Sequence, residues 1–330
     1  MAGVALGLGL GCARSGTAVG PVVAPGPQGV PQVGQVAATA AGGSLQGGEL
    51  PVVALAEIGF LVSDLKAAQA FYGDFLGFRQ VGFSPMRRLV FEVAPGQTIE
   101  VIRGDPDIDG RLDHVSFHVR DARQIEAALV AAGHNGTLLV VDGGRTAVGL
   151  RDPDGHRIQF IESEAARTVL SSRRNVPDPG GIATHMAHFG FLVGRLDRAL
   201  DFYQRTLGFV EFWRGSSGGS HLDWVNLQIP GGPDYVELML YEELPPPDER
   251  GTKNHVCLFT PDVERAVAVL AERPNRGSYW REIAVKVGRN RKRQVNLYDH
   301  DGNRIELMEP DTVDGVPAPS SKAPPPRLPL

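Results

Sequence analysis

Apolar residues recur along this chain at two spacings. Leu65, Ala68, Phe71, Tyr72, Phe75 and Leu76 follow one another at three- and four-residue intervals, which predicts a helix laying an apolar stripe on a sheet. Leu196, Leu200, Tyr203 and Leu207 predict another. The stretches RRLVFEV, QTIEVI, WVNLQI and YVELMLY are rich in β-branched and aromatic residues and predict antiparallel strands. In order, the body from about Ala54 to Glu309 reads as four units, each a strand, a helix and two or three more strands. They start near Glu57, His114, His188 and His255. Mixed α+β structure, with helices covering one face of the sheets, follows.

The units repeat one another. GFLVSDLKAAQAFYGDFLGF from Gly59 and GFLVGRLDRALDFYQRTLGF from Gly190 are identical at eleven of twenty positions: Gly, Phe, Leu, Val, Leu, Ala, Phe, Tyr, Leu, Gly and Phe. LRDPDGHRIQFIE from Leu150 and LYDHDGNRIELME from Leu297 each carry a strand, an Asp-x-Asp-Gly turn and a second strand. DHVSFHVRDARQIEAALVAAG and NHVCLFTPDVERAVAVLAERP each join an alternating strand to a helix.

The ends differ from the body. From Ala13 to about Pro51 the chain is Gly, Ala, Val, Pro and Gln with almost no charge, and is expected to be a disordered linker. The Pro-rich segment 311–330 is expected to be an extended, unpacked tail. The first eleven residues form an apolar run ending at Cys12, too short to span a bilayer. Small residues before a cysteine resemble the end of a bacterial lipoprotein signal, without its basic start. Export or lipid anchoring and a cytoplasmic location both stay open.

The 330 residues suffice for about two domains, and 42% apolar with 22% charged residues is a soluble globular mix. A net charge of −5 with no long basic block speaks against a nucleic-acid partner and for a small-molecule substrate. With only Cys12 and Cys257, neither a disulfide framework nor a thiolate zinc site is available, so any metal must use nitrogen and oxygen. Candidates for that role stand at equivalent places on the opening and closing strands of the last two units: His188 in AHFGFLV, Glu237 in YVELML, His255 in NHVCLF and Glu306 in RIELME. Carboxylates amid apolar strand residues call for a counter-charge. Two imidazoles and two carboxylates suit one divalent cation such as Zn, Ni, Co, Mn or Fe, with positions left open for substrate.

These motifs resemble the vicinal oxygen chelate superfamily, which includes glyoxalase I, bleomycin-binding resistance proteins and extradiol dioxygenases. The resemblance rests on the FYxxxLGF-type helix ends, the Asp-x-Asp-Gly-then-Glu ending and the four candidate ligands, and covers all four units. It implies four βαβββ units paired into two curved mixed sheets, with one domain over 52–166, a second over 184–310, and a monomer able to complete both. It also implies a metal-dependent lyase or isomerase working through a metal-stabilised enediolate, with Glu237 or Glu306 moving the proton. The N-terminal equivalents are Glu57, Glu100, His114 and Gln159, a set that departs from the pattern and marks that half as a degenerate partner.

Two rival readings remain. A ring-cleaving dioxygenase would use His188, His255 and Glu306 on ferrous iron, with His221 and Tyr298 as candidate supporting groups and Glu237 superfluous. A metal-free binding protein would instead use an aromatic cleft, for which Trp213, Trp224, Tyr235 and Tyr241 are available. The basic run Arg289, Arg291, Lys292, Arg293 is expected to be a solvated hairpin outside the site, and Cys257 a small buried residue.

Overall fold

The computed structural model describes residues 52–84, 86–107, 110–164, 169 and 176–327. The leader, Cys12 and the linker lie outside the described residues. No helix among those described is long and apolar enough to cross a membrane.

Two curved mixed sheets of eight strands carry the fold. In the first, β1 (Val52–Val62), β2 (Arg79–Ser84), β3 (Arg88–Ala94), β4 (Gln97–Arg103), β5 (Leu112–Val119), β6 (Thr137–Val141), β7 (Arg145–Arg151) and β8 (Arg157–Glu162) lie in the order β2-β3-β4-β1-β5-β8-β7-β6. In the second, β9 (His185–Val193), β10 (Val210–Gly215), β11 (Trp224–Gln228), β12 (Tyr235–Leu240), β13 (His255–Phe259), β14 (Lys286–Val287), β15 (Lys292–Tyr298) and β16 (Arg304–Thr312) repeat it as β10-β11-β12-β9-β13-β16-β15-β14. In every unit the opening strand pairs parallel with the closing one: β1 with β4, β5 with β8, β9 with β12 and β13 with β16. Antiparallel pairing of β1 with β5, and of β9 with β13, joins the units two by two.

Alternation along a strand sends successive side chains to opposite faces. On β9, Phe189, Phe191 and Val193 enter the large apolar core, as Ile58, Phe60 and Val62 do from β1, while His188 and Gly190 turn to the other face. Helix α1 (Leu65–Ala68) is capped by Asp64, which accepts from the Lys66 and Ala67 amides, and runs on as a π-helical turn over Gln69–Phe75. Helix α3 (Leu196–Leu200) does the same over Asp201–Thr206. The predicted helices therefore exist, but their second halves hydrogen-bond five residues back, as in Leu76 N to Phe71 O and Leu207 N to Phe202 O. Helices α2 (Ala122–Ala131) and α4 (Val263–Ala271) cover the other two units.

The sheets are clamped by a reciprocal pair of motifs. Tyr72 of the first helix end donates to Asp299 in the Asp-x-Asp-Gly turn of the fourth unit at 3.1 Å, and Tyr203 of the third donates to Asp152 in the second unit's turn at 2.9 Å. Asn303 Nδ2 and His156 Nδ1 meet the same carboxylate oxygens, Asp299 Oδ2 and Asp152 Oδ2. Gln97 Oε1 accepts from Met186 N and Asp234 Oδ2 from Leu55 N, so the opening strands are tied across as well.

The expectation of an unpacked C-terminal tail is corrected. Val313 N donates to Arg291 O, Ser321 N to Arg214 O and Leu222 N to Pro324 O, and Ala323 rests on the core. The proline-rich composition gives an extended backbone, and open edge groups on β10 and on the turn before β15 bind it as they would another strand.

Burial would raise Asp152, yet the His156 charge and hydrogen bond hold its carboxyl below the usual range, so Tyr203 donates to an ionised acceptor. Removing that donor in Tyr203→Phe is expected to lower unfolding stability by about 1–3 kcal/mol, read from the denaturant midpoint, with no change in metal content.

Candidate metal centre

Register places the candidate residues in two adjacent rows on one face of the second sheet. One row runs Glu237, Gly190, His255 and Arg304 across β12, β9, β13 and β16; the next runs Tyr235, His188, Cys257 and Glu306. All four predicted ligands thus converge. His188 Nε2 faces His255 Nε2 at 3.0 Å, and His255 Nε2 lies 3.3 Å from Glu306 and 3.7 Å from Glu237. His188, Glu237 and His255 bring their donor atoms within 4.8 Å of one another, as do His188, Cys257 and Glu306. Cys257 is buried as expected, but it also sits between His188 and Glu306.

Gly190 and Arg304 belong to this arrangement although sequence reasoning did not single them out. A Cβ on Gly190 would overlap the His255 ring, so only glycine lets the imidazole fold across β9; Gly59 stands in the same relation to His114. The signal was present, because both glycines lie two residues beyond the first candidate of their half. Arg304 lies against His255 Nδ1, which also meets Lys253 O at 3.0 Å. Its counterpart Arg157 occupies the same place in the other Asp-x-Asp-Gly repeat.

Electrostatics divides the two carboxylates. Burial would raise Glu306, but the His255 hydrogen bond and charge, with His188 and Arg304, hold it at about 2. Burial and the Glu306 charge push Glu237 up to about 8. Burial, with His255 next to it, puts His188 well below the ordinary histidine value, and burial with Arg304 lowers His255. Both imidazoles are therefore neutral at pH 7, as ligands must be. One guanidinium faces two buried carboxylates, so the cluster is one positive charge short and Glu237 keeps a proton instead. His188 Nδ1, buried over the Tyr235 ring at a centroid distance of 4.5 Å, has no hydrogen-bond partner among the described residues. The donor set fits a divalent cation.

The first sheet has the same rows and a different charge count. Glu57, Glu100 and His114 also bring donor atoms within 4.8 Å, and Gln159 stands in the row of Glu57 and Ser116. Here the cations are built in. Arg88 binds Glu100 at 2.5 Å, and His114 lies between Asp113 at 2.8 Å and Glu57 at 3.3 Å, with Arg157 on Asp113. Burial opposes it, but those bonds raise His114 to about 9. By register Arg88 corresponds to Trp224, and Asp113 precedes His114 as Asn254 precedes His255. The second sheet lacks both charges.

A cavity of about 150 Å³ opens over the second cluster, lined by His188, Glu237, Glu306 and Arg304, by Trp213 and Trp224, and by Lys286 and Arg289. The placement of the basic run is corrected for Arg289: β14 and the turn before β15 fold back over the site, and Arg289 donates to Ser217 O at 2.8 Å. Of the proposed cleft aromatics, Trp213 and Trp224 line this cavity; Tyr235 lies beneath His188, and Tyr241 faces a different pocket under Lys253. His221 and Tyr298 do not line it; His221 bonds to Leu222 O, and Tyr298 faces the Tyr279 pocket.

Since the folded value of His114 exceeds the unfolded one near 6.5, its stabilisation is complete below pH 6.5 and is lost as pH rises through about 9. The stability gap between the protein and His114→Gln is expected to narrow over that window in thermal melts at successive pH values.

Comparison with known proteins comes from three directions. A family model described as Glyoxalase/Bleomycin resistance protein/Dioxygenase superfamily matches residues 54–160 and 185–307. No curated protein matches the chain. Among solved structures, an extradiol ring-cleaving dioxygenase from B. fuscum is similar at TM-score 0.60 and 17% identity, over 82% of this chain and 76% of that one. The 2,3-dioxygenase LapB from Pseudomonas sp. KL28 is similar at 0.59 and 19%, over 79% and 93%. A Mn(II)-bound glyoxalase from Novosphingobium aromaticivorans is similar at 0.62 and 17%, over 85% and 89%. At such identities the likeness is one of fold.

Proposed function

This chain belongs to the Glyoxalase/Bleomycin resistance protein/Dioxygenase superfamily, and on that premise we propose that its C-terminal half is a divalent-metal enzyme site of the glyoxalase type, with His188, Glu237, His255 and Glu306 as ligands. The observation that carries the reading is the missing positive charge. Two neutral imidazoles and two buried carboxylates face one another with a single guanidinium, whereas the first sheet balances the same rows with Arg88 and a protonated His114.

A bound divalent ion would supply Lewis acidity to a substrate oxygen. The chain's own groups do the rest. Glu306, held ionised by His255, is the fixed carboxylate. In this reading Glu237, whose side chain keeps 14% exposure at the cavity, takes a proton from one carbon and returns it to the next once a cation has displaced its own. Lys286 and Arg289 set a positive potential over the cavity, which favours negative charge developing on the substrate.

A second reading, ring cleavage on iron held by His188, His255 and Glu306, draws support from two neighbours of the same fold. The shared layout does not separate the two, because the glyoxalase neighbour has it too. Glu237 within ligand distance, and a cavity with no histidine beyond the cluster among its described residues, favour the first.

Elemental analysis of purified protein is expected to find about one divalent metal per chain, lost in Glu237→Ala and kept in Glu57→Ala. Iron retained by Glu237→Ala would support ring cleavage, and no metal even after reconstitution would leave a binding protein. Because a cation displaces the proton held by Glu237 up to pH 8, apparent metal affinity should rise about tenfold per pH unit below pH 8 and level off above it. Competition with a chelator at fixed ionic strength checks the slope, and Glu237→Gln should flatten it.

A further inference from the structure

A second cavity, about 390 Å³, adjoins the metal cavity and shares Trp213 and Asn290 with it. Its floor is aromatic: Phe212 and Tyr235 meet edge to face at 5.1 Å. Its outer wall is the C-terminal tail, Pro310 to Ala318. That wall is anchored on both sides of the chamber. Arg291 pairs with Asp314 and its carbonyl accepts from Val313 N, while further on Ser321 N binds Arg214 O of β10. A tail spanning from the β14–β15 turn to β10 roofs a space between them.

The junction of the two cavities is chemically unfinished. Asn226 is 3% exposed and its Oδ1 has no hydrogen-bond partner, and the same is true of the buried Nε1 of Trp213, its register neighbour on β10. A donor and an acceptor side by side, both buried and unpaired, each cost free energy until a group offering both functions satisfies them. A hydroxyl or amide of a ligand does so. The metal cavity alone admits a molecule of only a few heavy atoms, and the chamber beyond it offers ring faces, prolines and Ala318.

We infer that the substrate is bipartite, with an oxygen-bearing head at the metal cluster, a hydroxyl or amide between Trp213 and Asn226, and an aromatic body in the chamber under the tail. The head rests on the metal reading above; the body does not. In this arrangement the tail is part of the substrate site, and the space between Phe212 and Ala318 sets the size of the body accepted.

Calorimetric titration with benzoate and with biphenyl-4-carboxylate tests this on the full chain, both metal-loaded and stripped by chelator. The expected result is biphenyl-4-carboxylate binding about tenfold tighter than benzoate, in both metal states. Ala318→Trp, which fills the chamber, and Phe212→Ser, at a position already half exposed, should each bring the ratio close to one. A ratio near one in the unaltered protein, or one left unchanged by both substitutions, overturns the inference. Metal content measured on the same samples separates the two readings: a ratio of ten in protein that takes up no metal even on reconstitution sinks the metal site and keeps the chamber, and bound metal with a ratio of one does the reverse.

Discussion

Four parallel pairings, each between the strand that opens a unit and the strand that closes it, hold the arrangement from which everything else follows. The opening strands, each between a parallel and an antiparallel partner, are buried on both faces over most of their length, so a polar side chain on one must find its counterpart in neighbouring rows. On β9 the alternation leaves no choice: Phe189 and Phe191 face the core, and His188 faces the site. Slipping the β9–β12 or β13–β16 pairing by one residue would put Glu237 or Glu306 into the apolar core, where an unpaired carboxylate is prohibitively destabilising. The register and the site thus specify each other. Gly190 completes the row by yielding its side-chain volume to the His255 ring.

Within that shared frame the two halves solve one electrostatic problem differently. Both collect carboxylates on a buried face, and both need cations. The first sheet draws them from its own chain, with Arg88 on Glu100 and a protonated His114 between Asp113 and Glu57. The second has Trp224 where the first has Arg88, and Asn254 where it has Asp113. Losing Asp113 matters as much as losing the arginine. A carboxylate on Nδ1 keeps His114 charged, whereas burial and the Arg304 guanidinium keep His255 neutral, and the Lys253 carbonyl at Nδ1 leaves Nε2 able to bind a cation. Together with Glu57 in place of His188 and Gln159 in place of Glu306, these differences separate an internally neutralised cluster from one without those built-in cations.

Much of this was legible in the chain because the units repeat. Equivalent polar residues inside equivalent apolar strands pointed to His188, Glu237, His255 and Glu306, and to the weaker set in the first half, before any coordinates. What stayed hidden depends on contacts between units. The helix-end tyrosines and the Asp-x-Asp-Gly turns are visible as motifs, yet nothing local says that Tyr72 meets Asp299 across 227 positions. Arg289 reads as a solvated charge until β14 and the turn after it are folded over the cavity. The tail was misjudged for a related reason: its hydrogen bonds come from the main chain, on which composition is silent, and its partners are the open edge of β10 and the turn before β15.

The packed tail also changes how the two halves should be compared. In the first sheet, β2 corresponds to β10 and carries Val81 and Gly82 where β10 carries Phe212 and Trp213, and the chain leaves β8 for residues 163–184 on its way to β9. In the second, the chain leaves β16 and returns over its own sheet. The order of this returning segment comes from few apolar contacts and several backbone hydrogen bonds, the kind of element that opens at lower free energy than the core it covers. The wall over the second chamber is therefore the part of the site best able to yield to a ligand, while the cluster beneath it, set in two sheet rows, is the part least able to.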